Sequence, residues 1–148
     1  MLTLDSNILV YAVDARDALK RDAAIAIVAS AARVPSKLGL QVCGEFFVAS
    51  TWKIHVPAKV AHQRVEYLLA TFETFHQTPA AVGYAIAEST RGPFSYWDAV
   101  LLASAEEAGC TLMLSEDVAD GSGLGSLVVR NPFGPSGLSA AAKEALGL

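Results

Sequence analysis

Residues 95–117 constrain the fold most, because they join a helical pattern to a buried-strand pattern with acidic residues at both ends. Asp98 lies at the head of an apolar pattern that predicts a helix from about Tyr96 to Ala108. The short apolar run Thr111–Leu114 then predicts a buried strand, which stops at Ser115-Glu116-Asp117. Ligands of α/β proteins bind beyond the carboxyl ends of parallel strands. This stretch therefore predicts an α/β protein with acidic side chains at one edge of its sheet.

The N-terminal strand pattern ends in the same way. Leu2–Leu4 predicts a short buried strand, and Asp5-Ser6-Asn7 follows it directly. Further strand patterns lie at Glu73–Thr78 and Leu127–Val129, with helical patterns between the successive strands. Such alternation requires parallel strands covered on both faces and joined by right-handed crossovers. We therefore predict a three-layer α/β/α sandwich with a central, mostly parallel sheet of four to five strands.

The remaining segments complete this pattern without an internal repeat or an inter-domain linker. Asp17 is placed to cap the helix predicted at about 18–32, since its side chain can accept hydrogen bonds from the free amides of the first turn. Further helices are predicted at about 18–32, 39–52, 58–71 and 79–88, with a weak terminal helix at 139–148. Irregular structure is predicted at 33–37, which has room for a short strand, in the glycine loop 121–125, and at 131–135.

Length and composition predict a single domain, residues 1–148, with its core in about 1–133 and a tail at 134–148. The net charge of −4 argues against a strongly basic nucleic-acid coat. Hydrophobic residues make up 53% of the chain, which indicates that some apolar surface meets a partner. We expect a homodimer formed by the helical faces that carry Ile25, Val28, Val60 and Leu68.

Cysteine and histidine usage predicts a cytoplasmic protein without a zinc site. Cys43 and Cys110 lie in separate apolar runs, so we interpret both as reduced core residues. His55, His62 and His76 are scattered, whereas zinc requires clustered ligands. No apolar run approaches the roughly 20 residues that a membrane span needs, and no signal segment is evident.

Four acidic residues are the candidate functional groups. Asp5, Asp98 and Asp117 each have an ordinary alternative role, as a helix cap, a partner of the helix dipole and a turn residue. Glu45 is less ordinary, because the repeat of Val42, Phe46, Ala49 and Lys53 predicts that it lies on a buried helical stripe. If the four carboxylates converge, they repel one another unless a cation lies between them. Oxygen ligands without histidine or thiolate favour Mg²⁺ or Mn²⁺.

At these positions the sequence resembles a known family, the PIN-domain proteins, and among them the VapC-type toxin ribonucleases of toxin–antitoxin modules. The resemblance spans about residues 1–133, and its motifs occur in the family's order and spacing. They are Leu2-Thr3-Leu4-Asp5-Ser6-Asn7, Gln41-Val42-Cys43-Gly44-Glu45-Phe46, Ser95-Tyr96-Trp97-Asp98-Ala99, Leu114-Ser115-Glu116-Asp117 and Asn131-Pro132-Phe133.

The resemblance implies a metal-dependent endoribonuclease that cuts structured RNA, tRNA or rRNA, and leaves a 5′-phosphate. It also implies a homodimer that is silenced by a cognate antitoxin protein. It makes Asp5, Glu45, Asp98 and Asp117 the catalytic and metal-binding quartet around one or two Mg²⁺ or Mn²⁺ ions. Asn7 and Ser115 become polar neighbours that orient these carboxylates, and Glu116 an outer-shell acid.

Two other functions are compatible with the sequence. A phosphatase or phosphotransferase with Asp5 as its nucleophile requires a second aspartate, two residues later, as general acid. This chain has Asn7 at that position. A catalytically inactive PIN-like module that binds protein or RNA would keep the fold and use its apolar surface. The basic side chains are few and spread along the chain, which predicts weak attraction of RNA phosphates at physiological salt.

Overall fold

The computed structural model describes residues 1–148 and contains seven helices and eight short strands. The helices are α1 Ser6–Tyr11, α2 Ala18–Ala31, α3 Leu40–Trp52, α4 Ala58–Thr71, α5 Pro79–Arg91, α6 Tyr96–Glu107 and α7 Ala140–Leu146. The strands are β1 Leu2–Leu4, β2 Lys37–Gly39, β3 Glu73–Phe75, β4 Leu112–Leu114, β5 Gly123–Leu124, β6 Leu127–Arg130, β7 Phe133–Gly134 and β8 Gly137–Leu138.

The central sheet has the order β1-β4-β6-β5, and its first three strands are parallel. β2 and β3 form a second parallel pair, which a bridge between Ser36 and Leu2 joins to the free side of β1. In the register of β1 and β4, Leu4 lies opposite Leu114. The next residues on each strand, Asp5 and Ser115, therefore leave the sheet side by side at its carboxyl edge.

Apolar side chains explain why these short strands are stable. Leu4, Met113 and Val129 are fully buried in the central sheet, and helices α1, α2, α3, α4 and α6 add apolar side chains to the same core, among them Phe46. α5 packs on α6 through a seam made largely of alanine, which allows a close approach of the two helices. Both cysteines are buried free thiols, as predicted. None of the seven helices combines the length and the apolar composition needed to span a membrane.

Helix ends agree closely with the sequence patterns. Asp17 caps α2 by accepting a hydrogen bond from the backbone N–H of Lys20 at 3.0 Å, as predicted. Thr78 caps α5 in the same way. β3 ends at Phe75, three residues before the end of the predicted strand Glu73–Thr78.

Two predictions of irregular structure were wrong, whereas the connector 33–37 does lead into the short strand for which it had room. The glycine loop contains β5, which pairs antiparallel with β6. The segment that follows Asn131 contains β7, which forms a hairpin with β8; Gly137 has the positive φ of 110° that glycine tolerates best. The short second strand begins at Lys37, at the end of the predicted connector. Two- and three-residue strands are too short for an alternating pattern, so their pairing depends on neighbours distant in sequence.

Candidate functional site

Asp5 lies at the end of β1, buried, with its carboxylate held by three neighbours. The backbone N–H of Ser6 donates to Oδ1 at 2.6 Å. The Asn7 amide donates to Oδ2 at 3.2 Å, and the Ser115 hydroxyl donates to the same oxygen at 2.6 Å. Asp5 is also the N-cap of α1, so the turn from strand to helix fixes its backbone. These contacts restrict the carboxylate to one orientation.

Ser115 connects the ends of β1 and β4. Its hydroxyl donates to Asp5, and its oxygen accepts the backbone N–H groups of Asp117 and Val118, each at 3.2 Å. A single buried hydroxyl therefore orients Asp5 and shapes the turn that carries Asp117. Asn7 and Ser115 thus both contact Asp5, and their role beside a metal-binding carboxylate stays a prediction.

Electrostatics link three of the four predicted acids. Burial raises the pKa of Asp5, and the hydrogen bonds from Ser115 and Ser6 lower it only in part. The negative charges of Asp117 and Glu45 raise the Asp5 pKa further. No lysine or arginine forms an ion pair with Asp5. Asp5 thus faces two negative charges and has no cationic side chain paired with it.

Glu45 lies on α3 and is half-buried at the wall of a cleft, not on a fully buried stripe as the apolar repeat predicted. The Gln41 amide, one helical turn earlier, donates to Glu45 Oε1 at 2.8 Å and to the Trp97 carbonyl at 3.2 Å. Gln77 donates in turn to Gln41 Oε1 at 2.9 Å. This chain of amides orients Glu45 and joins α3 to the start of α6.

Asp98 is in the first turn of α6 and forms a reciprocal cap with Ser95. The Ser95 hydroxyl donates to Asp98 Oδ2 at 2.7 Å, and the Asp98 N–H donates to Ser95 Oγ at 3.2 Å. The positive end of the helix dipole also favours a carboxylate here. The ordinary role predicted for Asp98, a partner of the helix dipole, is therefore present together with the Ser95 cap. Its neighbour Trp97 lines the same cleft as Glu45.

Asp117 and Glu116 follow β4 but differ in their surroundings. The Asp117 residue is exposed. The Glu116 carboxylate accepts hydrogen bonds from Tyr11 at 2.7 Å and from Lys20 at 2.8 and 3.0 Å. Glu116 is therefore occupied by an ion pair, and its outer-shell role stays a prediction.

The donor chemistry of this edge fits a hard divalent cation, although no three histidine, cysteine or acidic side chains are grouped as a metal-binding set in the structure. All available donors are oxygens, which suit Mg²⁺ or Mn²⁺. The buried Asn7 Oδ1 atom, beside Asp5, accepts no hydrogen bond. A buried acceptor without a partner is costly, and a cation or its bound water would satisfy it.

A cleft of about 890 Å³ runs beside Glu45 along α3. Its walls include Ser6, Lys53 and His76, the amides Gln41 and Gln77, and both tryptophans of the chain, Trp52 and Trp97. The sequence prediction assigned none of these side chains a role in the site. Gln41 had a local signal, because its position four residues before Glu45 places both on one face of a helix.

Comparisons with known proteins bear on the fold. No family model matches the sequence, and no curated protein matches it. Among solved structures, the chain is similar to Mycobacterium tuberculosis VapC20, a sarcin-ricin loop cleaving toxin. The TM-score is 0.64 at 20% sequence identity, and the similarity covers 86% of this chain and 99% of VapC20. The predicted PIN-like α/β/α fold, with its central and mostly parallel sheet, is therefore confirmed.

Proposed function

We propose that this protein is an endoribonuclease that depends on Mg²⁺ or Mn²⁺ and acts as the toxin of a toxin–antitoxin module. The observation that carries the proposal is the environment of Asp5. Burial and the negative charges of Asp117 and Glu45 raise the pKa of this carboxylate, and no basic side chain pairs with it. A divalent cation would relieve this repulsion.

In this proposal Asp5, Glu45, Asp98 and Asp117 hold the metal, and their neighbours orient them. A bound Mg²⁺ ion would supply an activated water and neutralise charge on the phosphate. Ser115 and Asn7 hold Asp5 through its Oδ2 atom, and Gln41 holds Glu45. Ser95 holds Asp98 at the helix N-terminus.

The substrate class that we propose is structured RNA, tRNA or rRNA, cut to leave a 5′-phosphate. VapC20 cleaves the sarcin-ricin loop, so this loop is the first RNA to test. We further propose that the protein works in the cytoplasm, forms a homodimer and is silenced by an antitoxin protein. Because the net charge of the protein is −4, its attraction for RNA phosphates is weak. The proposed substrate must therefore be recognised by further contacts.

The test is digestion of a sarcin-ricin hairpin and of tRNA with Mg²⁺, Mn²⁺ or EDTA, with the products mapped to the nucleotide. We expect cleavage with either metal and none with EDTA. Asp5→Asn and Asp98→Asn should each lower the rate by at least about 100-fold, because each removes a charged ligand. Asp5→Asn should also raise the free energy of unfolding at pH 7, since it removes a desolvated charge.

Asp22→Asn is the matched control, because Asp22 is an exposed acid on α2 whose ion-pair partner is its neighbour Arg21. It should cut RNA at the wild-type rate. Cleavage by Asp98→Asn at that rate, or undiminished cleavage in EDTA, would exclude the proposed site. Titration with Mn²⁺ distinguishes the proposed enzyme from a catalytically inactive module. An inactive module should bind Mn²⁺ no better than the Asp98→Asn variant does.

A further inference from the structure

The two tryptophans of this chain occur in one place and are unusually accessible. Trp52 is 80% exposed and Trp97 is 59% exposed, and both line the cleft beside Glu45. Tryptophan is highly buried on average in folded proteins. Two large indoles left open to solvent in one cleft indicate a surface that binds something.

Their positions follow from α3 and from the start of α6. Gln41, Glu45, Val48 and Trp52 recur at intervals of four, three and four residues, so they form one stripe that faces the cleft. Trp52 lies seven residues after Glu45, which is about 10 Å along the helix axis. Trp97 belongs to the first turn of α6, directly before Asp98.

The Trp97 side chain has one aromatic neighbour, and its backbone is bonded to α3. It makes an edge contact with Tyr96, with ring centroids 5.0 Å apart and planes at 73°. The carbonyl of Trp97 accepts a hydrogen bond from Gln41, which anchors its backbone to α3. The backbone of Trp97 is thus fixed beside the cleft, and its indole stays open to a flat ligand.

Charge decides what kind of ligand suits this cleft. Lys53 and His76 are its only basic side chains, and Glu45 lines the same cleft. With a net charge of −4 over the chain, phosphate attraction alone is weak. Contacts to the bases must then supply most of the affinity for RNA. The cleft volume, about 890 Å³, is large enough for planar groups of nucleobase size.

We propose that Trp52 and Trp97 stack on unpaired nucleobases of single-stranded or looped RNA, and so bring the strand past the acidic edge of the sheet. The inference rests on the proposed function and adds the mode of substrate binding. Stacking on aromatic side chains tolerates any base, because every base has a π-face. Paired bases are already stacked within a helix, so the cleft selects loops and unpaired segments.

The test uses the full chain in EDTA, so that binding is measured without cleavage. The probes are a labelled single-stranded RNA of about ten nucleotides, an abasic oligomer of the same length and charge, and a duplex. Both tryptophans line the cleft, so quenching of intrinsic tryptophan fluorescence reports on it alone. We expect saturable quenching by the RNA, little by the abasic oligomer or the duplex, and a shallow salt dependence of about −0.7 per phosphate contact.

Fluorescence anisotropy of the label gives the dissociation constant for each variant. Trp52→Ala and Trp97→Ala should each weaken binding by about 5- to 100-fold, and the phenylalanine variants should retain most of it. Phe47→Ala is the matched control, since Phe47 is an exposed aromatic residue on α3 that does not line this cleft. It should bind as the wild type does.

Equal binding of the abasic oligomer, or wild-type affinity in both alanine variants, would overturn the inference. Quenching by an amphipathic helical peptide but not by RNA would overturn it in favour of a protein partner. Mg²⁺-dependent cleavage that survives both alanine substitutions would overturn the stacking inference and leave the nuclease standing. Base-dependent quenching without any cleavage would support stacking and remove the nuclease.

Discussion

Asp14 holds the loop between α1 and α2 through its neighbour Arg16. The guanidinium donates to both carboxylate oxygens, with Nη2 at 2.6 Å from Oδ2, and the Arg16 N–H donates to Oδ1. These hydrogen bonds lower the pKa of Asp14 from 3.8 to about 2. The ionised form is therefore favoured in the folded state.

Replacing Asp14 by asparagine should destabilise the protein in a pH-dependent way. A carboxyl with a depressed folded-state pKa contributes stability above its unfolded pKa and loses it as the pH falls through the folded value. The difference in unfolding free energy between wild type and Asp14→Asn should therefore be constant from pH 7 to about pH 5 and shrink between pH 4 and pH 2. Urea denaturation across this range measures it.

Asp22→Asn is the control for this measurement, because the Arg21–Asp22 pair is more exposed. It should change the unfolding free energy little at any pH. A difference for Asp14→Asn that persists unchanged to pH 2 would contradict the assignment to the Asp14 carboxylate.

Sequence reasoning at this scale finds residues more readily than their partners. Asp5 was predictable because an acid directly after a buried strand lies at the carboxyl edge of a sheet. The contact of Gln41 with the Trp97 carbonyl was not, since it joins residues 56 positions apart. Glu45 shows the same limit: the apolar repeat placed it on a buried stripe, whereas the cleft beside α3 leaves it half-buried.

At the level of elements, Lys20 joins four segments of the fold. Its ammonium forms an ion pair with Glu116 at 2.8 Å, and it lies 4.4 Å from the Tyr11 ring centroid and 5.3 Å from that of Phe133. Burial opposes ionisation of Glu116, but hydrogen bonds from Lys20 and Tyr11 outweigh it and lower the Glu116 pKa. The cluster ties α1, α2, the turn after β4 and the β7–β8 hairpin together.

Lys20→Ala should lower the free energy of unfolding by about 1–3 kcal/mol, because a hydrogen-bonded ion pair and two cation–π contacts are lost together. Chemical denaturation at pH 7 measures the change. Lys59→Ala provides the comparison, since Lys59 is exposed on α4 and forms no ion pair. It should alter stability by less than about 0.5 kcal/mol. Similar losses in the two variants would show that the cluster adds nothing.

The elements themselves were predictable in proportion to their length. α4 has the predicted bounds, Ala58–Thr71, because four turns are long enough for an amphipathic repeat to stand out. The β7–β8 hairpin was not predicted, because two-residue strands show no alternation and the surrounding glycine and proline residues resemble a loop. Its stability depends on contact with α2 and with Tyr11, which local sequence does not reveal.

For the whole molecule, the structure narrows the predicted dimer surface. Leu68 is a core residue at 4% exposure, and Val28 packs against the core, so both are less accessible than Ile25 and Val60. Ile25 and Val60 are 48% and 41% exposed. Ile25 borders an apolar groove of about 220 Å³ between α2 and α4. Ile25 and Val60 are the most exposed members of the predicted set, and Val28 and Leu68 line the groove that Ile25 borders.

We expect light scattering at micromolar concentration to give twice the 15.5 kDa mass of one chain. Ile25→Lys and Val60→Lys should each weaken the dimer by at least about tenfold, because a charged group would be desolvated in the interface. Ile86→Lys changes a side chain on α5 that is 55% exposed, and it should not affect the dissociation constant of the dimer. A mass of 15.5 kDa for the wild type would contradict dimerisation.

The contact between Asp5 and Ser115 also has a consequence for synthesis of the protein in the cell. The two residues are 110 positions apart, and β4 is the only strand of the central sheet that pairs with β1. When residues 1–100 have been translated, Asp5, Glu45 and Asp98 are present, but the Ser115 hydroxyl that orients Asp5 is not. In the proposed toxin, Asp5 therefore lacks its orienting hydroxyl until residue 115 has been translated.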